Sequence, residues 1–304
     1  MEFLYLLESI RNPVLDKFFS LITHLGSETL FIAIAIVVFW CVNKRTGYYL
    51  LTVGFFGTLL NQFLKLVCRV PRPWIRDPDF TIVEAARADA TGYSFPSGHT
   101  QSITGSMGCL ARASESRGVR VVYIVLILLT AFSRMYLGVH TPADVGTSLV
   151  IGTVLVFALY PLFERSKDEP KLMYIIVGVL TACSLAYLLF VEFYPWGADI
   201  DPHNLESGLK NAYTLFGCGL GMLLSFHVER SYINFDERAT WQGQALKLVL
   251  GFAIVLGIKA GLKPVLEAFL PAMPARAVRY FIMVVFAACI WPLTFQKLAK
   301  IGTK

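Results

Sequence analysis

The sequence predicts an all-α protein: a polytopic transmembrane helical bundle of about nine spans. Two observations carry this. Mean hydropathy is +0.60 with only 16% charged residues, too apolar for a water-soluble domain of 304 residues. Several windows long enough to cross a hydrocarbon core as a helix are also almost free of charge.

The net charge of +6 is explained by basic loops of a membrane protein, so no nucleic-acid partner is expected. The first 13 residues carry Glu2, Glu8 and Arg11 and no small-residue cleavage site, so no cleaved leader is expected. The six cysteines fall mostly inside or at the ends of apolar stretches. None has metal-ligand spacing, and they read as small packing residues.

In chain order, residues 1–25 mix apolar and charged positions around Asn12-Pro13 and read as one or two short interfacial helices. Spans follow at 27–42 and 46–67, the second carrying Lys65 near its far end. Residues 68–95 form a long loop with four arginines, Arg69, Arg72, Arg76 and Arg87, and four carboxylates, Asp77, Asp79, Glu84 and Asp89. A loop of this length on a compact bundle is usually functional. The third span, 97–113, is short and carries Thr100, Gln101, Ser102, Thr104 and Ser106, which suit a protein-facing surface. The fourth, 119–139, ends in Ser133-Arg134, and His140-Thr141-Pro142 makes a turn into the fifth, 143–163. After a polar linker come 172–193, 211–228, 246–270 and 277–298. Gly217, Gly219 and Gly221 would let a neighbouring helix approach closely, and Lys259 is a candidate buried lysine. The domain reading is therefore 1–25 interfacial helices, 26–165 a catalytic membrane core, and 172–304 additional helices.

Basic residues set the orientation. Fourteen, among them Lys44, Arg45, Arg112, Arg117, Arg165, Lys171, Arg230, Lys247 and Lys304, fall on one face, against eight on the other, leaving aside the candidate site cations, Lys259 and Lys263. The first face is expected to be cytoplasmic, with the N-terminus outside, the C-terminus inside and the plasma membrane as location.

That topology brings together, on the extracytoplasmic side, Lys65, Arg72, Pro96-Ser97-Gly98-His99, Arg134, His140 and Asp144. Lys65, Arg72 and Arg134 can hold phosphate oxygens, the arginines bidentately. The N–H groups of Ser97 and Gly98 at a helix start can complete an anion cradle. Such a cluster can stabilise phosphoryl transfer without a cofactor or metal. His140 has a carboxylate one helical turn on: Asp144 can take one ring nitrogen and aim the other at phosphorus, leaving His99 as acid and base.

At these residues the sequence resembles the phosphatidic-acid-phosphatase type 2 superfamily of integral membrane phosphatases. The match is Lys65-x6-Arg72-Pro73, Pro96-Ser97-Gly98-His99 and Ser133-Arg134-x5-His140-x3-Asp144, with all three motifs complete over roughly residues 15–165. The resemblance implies a phosphohistidine at His140, an acid/base at His99 and metal-independent hydrolysis. Nine spans with an outside N-terminus look like the glucose-6-phosphatase and sphingosine-phosphate-phosphatase branches. The expected substrate is a lipid phosphate or polyprenyl diphosphate entering sideways from the membrane. A phosphotransferase, a sugar-phosphate phosphatase and a transporter of phosphate or lipid phosphate stand as alternatives.

Overall fold

The computed structural model describes residues 1–302, so Lys304 lies outside the described residues. Among those residues the chain is helical, without strands. The main elements are α1 (Glu2–Ser9), α2 (Pro13–Thr23), α3 (Glu28–Cys41), α4 (Lys44–Cys68), α5 (Pro73–Arg76), α6 (Gly98–Ala113), α7 (Arg117–Tyr136), α8 (Pro142–Arg165), α9 (Pro170–Phe193), α10 (Pro202–Val228), α11 (Trp241–Glu267) and α12 (Ala272–Val285).

Helices occur at all nine expected places, but fewer than nine have the length and apolarity of a span. Among the described residues six are long and apolar enough to cross a membrane: Lys44–Arg76, Arg117–Tyr136, Pro142–Arg165, Pro170–Phe193, Trp241–Glu267 and Ala272–Leu298. A seventh forms if Pro13–Gly26 and Glu28–Cys41, bent by 49° at their junction, act as one broken span. The other two expected spans fail for different reasons. With 16 residues, α6 rises only about 24 Å against a core of about 30 Å, and it buries polar side chains. The 27-residue α10 is long enough, but after its polar first turns Asn211, Tyr213, Thr214, Ser225 and His227 interrupt the apolar run. It starts at Pro202 rather than at residue 211 because Asp201 caps it, Oδ1 accepting from Asn204 N at 2.9 Å, with proline at the first helical position.

The chain divides into two compact units. The first comprises Met1–Ala35, Tyr49–Leu162 and Trp196–Gly208. Its core packs Ile103 and Met107 of α6 against Ile127 of α7, with Leu25, Ile34 and Leu149 around them. A second cluster, Phe19, Ala86, Tyr136, Leu137 and Val139, lies under the long loop, with Trp74 and Val83 packed on it.

The second unit comprises Ile36–Tyr48, Phe163–Pro195 and the chain from Leu209 onward. The glycine stripe of α10 does what the sequence expects. A β-carbon at Gly217 would stand 2.2 Å from the Ala277 carbonyl oxygen, and one at Gly221 2.9 Å from Val284 Cβ, so α12 lies directly on bare backbone. Lys259, the candidate buried lysine, is exposed, as is Lys263. The buried one is Lys247, read from sequence as a loop cation. It sits in the second turn of α11, donates Nζ to the Glu237 carbonyl at 2.9 Å and lies 4.4 Å from the centre of the Phe295 ring. The helix begins at Trp241, capped by the Thr240 hydroxyl, five residues before the expected start of the span.

Gly217→Val would drive a branched side chain into Ala277 backbone, which cannot rotate aside. The expected cost is about 3 kcal/mol, read as a lowered midpoint of thermal unfolding in detergent.

Candidate active site

One face of α4 presents Thr58, Asn61, Gln62 and Lys65, spaced as neighbours on a helix, to a pocket of ≈ 630 Å³ that opens to solvent. Arg72 reaches it from the loop after α4, Gly98 and His99 from the first turn of α6, Arg134 from the last turn of α7, and His140 from the turn before α8. Six of the eight residues singled out in the sequence thus line a single cavity. The other two, Ser97 and Asp144, stand directly behind it.

The guanidinium of Arg72 organises the loop. Its Nε donates to Gly92 O at 3.0 Å, Nη2 to Thr91 O at 2.7 Å, and Nη1 to Val139 O at 3.0 Å and to His140 Nε2 at 2.9 Å. A guanidinium can only donate, so Nε2 of His140 is the acceptor and Nδ1 bears the ring proton. Nδ1 faces Asp144 Oδ2 at 3.5 Å. Burial first, then the charges of Arg72, Arg134 and Lys65, hold the His140 imidazole well below the usual histidine range, and so neutral. Asp144 is fixed in turn: Oδ2 accepts from the Ser94 hydroxyl at 2.6 Å and from Thr141 N–H at 2.8 Å.

Lys65 donates Nζ to the Tyr93 carbonyl. Arg134 is fully buried, and its Nη1 donates to the Thr23 hydroxyl at 2.7 Å, while Nε and Nη2 have no partner. Nε2 of His99 is likewise buried and unpaired. Unpaired donors on a buried cation are costly and point to an anion as the missing partner.

Ser97 differs from expectation. Its N–H donates to the Asp144 carbonyl at 3.2 Å and is not free for an anion, while its hydroxyl caps α6 by accepting from Thr100 N at 3.4 Å and keeps its own proton. Gly98 does line the pocket, and as a first-turn residue its N–H has no acceptor within the helix. Gly26 packs against this turn: a β-carbon there would lie 2.6 Å from the His99 carbonyl oxygen, so only a hydrogen fits.

Ser94 and Thr23 are site residues that the sequence did not mark. Each is a small hydroxyl with no motif spacing, and Thr23 lies in the segment read as interfacial. The loop carboxylates are dispersed. Asp77 accepts from Tyr5 OH at 2.9 Å, Glu84 pairs with Arg87 at 2.7 Å, and Asp89 lies 4.0 Å from His24. Among the described residues no three His, Cys, Asp or Glu side chains are grouped as metal ligands.

Thr23→Val keeps the shape of the side chain but strips Arg134 Nη1 of its acceptor. A loss of about 1–3 kcal/mol is expected in thermal unfolding.

Residues 45–168 match the PAP2 superfamily, and residues 213–304 match the PAP2 superfamily phosphatase transmembrane extension. The chain is 32% identical over 165 residues to undecaprenyl-diphosphatase BcrC of Bacillus subtilis, covering 53% of this chain and 79% of that protein. It is 31% identical over 175 residues to phosphatidylglycerophosphatase B of the same organism, covering 52% and 80%. Similarity to mouse sphingosine-1-phosphate phosphatase 1 is lower, 26%, but extends over 297 residues, 90% of this chain and 66% of that one. No solved structure matches. The chain is a membrane-embedded phosphoric ester hydrolase and belongs to the PAP2 superfamily.

Proposed function

We propose that the chain hydrolyses a phosphate carried by a membrane lipid through a phosphohistidine at His140, at the extracytoplasmic face. The observation that carries this is the buried pair His140–Asp144, with the Nε2 lone pair turned toward a pocket of three cations.

Phosphate oxygens would take the unpaired Nε and Nη2 donors of Arg134, the Lys65 ammonium and the Gly98 N–H, and draw Arg72 Nη1 off His140. Nε2 then attacks phosphorus as the bond to the ester oxygen breaks. His99, held neutral in the free site by burial and by the charges of Arg134 and Arg72, takes up a proton when the phosphate dianion offsets those charges, and delivers it to the leaving oxygen. The imidazolium formed at His140 keeps its Nδ1–H toward Asp144, whose charge stabilises it. A water entering the same side gives its proton to His99 and attacks phosphorus, the P–N bond breaks, and inorganic phosphate leaves. Ser94 and Thr141 hold Asp144 in place throughout.

The excess of basic residues on the opposite face supports an extracytoplasmic site and a cytoplasmic C-terminus. The relatives named for lipid phosphates and for a polyprenyl diphosphate support a lipid-borne substrate. We assign the chemistry to the core 26–165, which carries all eight residues, and the remaining helices to its setting in the membrane.

His140→Ala should lower phosphate release about 10⁴-fold or more while the purified protein keeps its elution volume and unfolding midpoint; retained turnover would end the mechanism. Activity should also survive dialysis against EDTA. Inhibition that is reversed by adding back a divalent ion would replace this scheme with a metal-dependent one.

A further inference from the structure

The pocket does not turn apolar below its cations. One and two turns before Lys65, α4 presents Asn61 and Thr58, and one turn beyond Gly98, α6 presents Gln101. Gln101 is 5% exposed, yet neither Nε2 nor Oε1 has a partner. Asn61 is 2% exposed; Nδ2 donates to the Pro96 carbonyl at 3.3 Å and Oδ1 is unpaired. Leaving such buried groups unpaired is costly, and an apolar side chain of the same size would carry no such cost. The amide of Gln101 has a place made for it. A β-carbon at Gly57 of α4 would come within 2.8 Å of Nε2, so the bare backbone of that glycine leaves room for it.

Charge narrows the ligand further. Lys65, Arg72 and Arg134 are the lining cations, set against Glu28 and Asp89 in the same lining and Asp144 behind His140. One phosphate group can take all three cations; a second would meet Glu28 and Asp89 with no further cation among the lining residues.

We infer that the substrate is a phosphate monoester whose carbon skeleton carries a hydroxyl or amine on one of the first carbons beyond the ester oxygen. Gln101 and Asn61 are its hydrogen-bonding partners. This rests on the phosphatase reading above and names the substrate class within it. A hydroxyl both donates and accepts, as the Gln101 amide does; an ammonium donates to Gln101 Oε1 and Asn61 Oδ1. A plain alkyl or prenyl chain would leave all three atoms unpaired. Sites built to hydrogen-bond a substrate hydroxyl discriminate strongly against analogues that lack it, for this reason.

The test is kcat/KM of the purified full chain in detergent on four substrates: dodecyl phosphate, 2-hydroxydodecyl phosphate, 2-aminododecyl phosphate and farnesyl diphosphate. The hydroxy or amino substrate is expected to exceed both dodecyl phosphate and farnesyl diphosphate by at least tenfold. In Gln101→Met that ratio should fall below threefold. The ratio is the readout, because a side chain that merely supports the fold would lower every substrate together and leave it unchanged. Equal rates in the wild type, a preference for dodecyl phosphate or farnesyl diphosphate, or a ratio untouched by Gln101→Met would overturn the inference. Absence of phosphate release from all four substrates, or full release by His140→Ala, would instead overturn the phosphatase reading beneath it.

Discussion

Three positive charges gathered away from water are the constraint on which the site depends. Taking each such ion out of water costs several kcal/mol, and Asp144 is the single carboxylate held behind them. The protein meets the cost with backbone dipoles. Carbonyls of Thr91, Gly92, Tyr93 and Val139 converge on Arg72 and Lys65, and the Thr23 hydroxyl takes one end of Arg134. This gives the long loop after α4 its physical role. Three of its carbonyls, those of Thr91, Gly92 and Tyr93, face inward onto Arg72 and Lys65, which hold the loop in return, and its Ser94 hydroxyl donates to Asp144. Of the three cations, Arg134 is the one with nitrogens that have no partner at all, so its charge is directed into the cavity.

That the proposed site residues gather in one place was legible in the sequence because phosphoryl chemistry fixes residue type at helix ends, where spacing is short and regular. His140 and Asp144 are one turn apart, and the turn residue Thr141 locks the register by donating its own N–H. Ser94 and Thr23 were not legible, since a lone hydroxyl in a loop or an amphipathic helix has no distinguishing neighbours; only the fold shows what it touches. The Ser97 amide was misjudged for a related reason. A helix start offers free N–H groups in isolation, but here α8 arrives close enough for the Asp144 carbonyl to claim one.

Helix positions were also legible, and membrane spans less so. Apolar periodicity locates a helix, whereas crossing a bilayer requires length and lipid-facing apolarity together. In α6 both fall short, with Thr100, Gln101, Thr104 and Ser106 buried among other helices. The start of α10 was misplaced because an acidic stretch reads as a loop until Asp201-Pro202 is seen as a cap. Lys247 and Lys259 exchanged roles for the same kind of reason: hydropathy marks a lysine within an apolar stretch but does not say which side of the helix it occupies.

One small contact has a mechanical result. The Ser148 hydroxyl donates to both the Ser97 and the Asp144 carbonyls, at 2.9 and 3.0 Å, while the Ser97 N–H donates to that same Asp144 carbonyl. The first turns of α6 and α8 are thereby riveted together, and the two histidines ride on one strut. Under the proposed mechanism, a head group that parts neighbouring helices would flex the walls of the cavity while the spacing of His99 and His140 is kept.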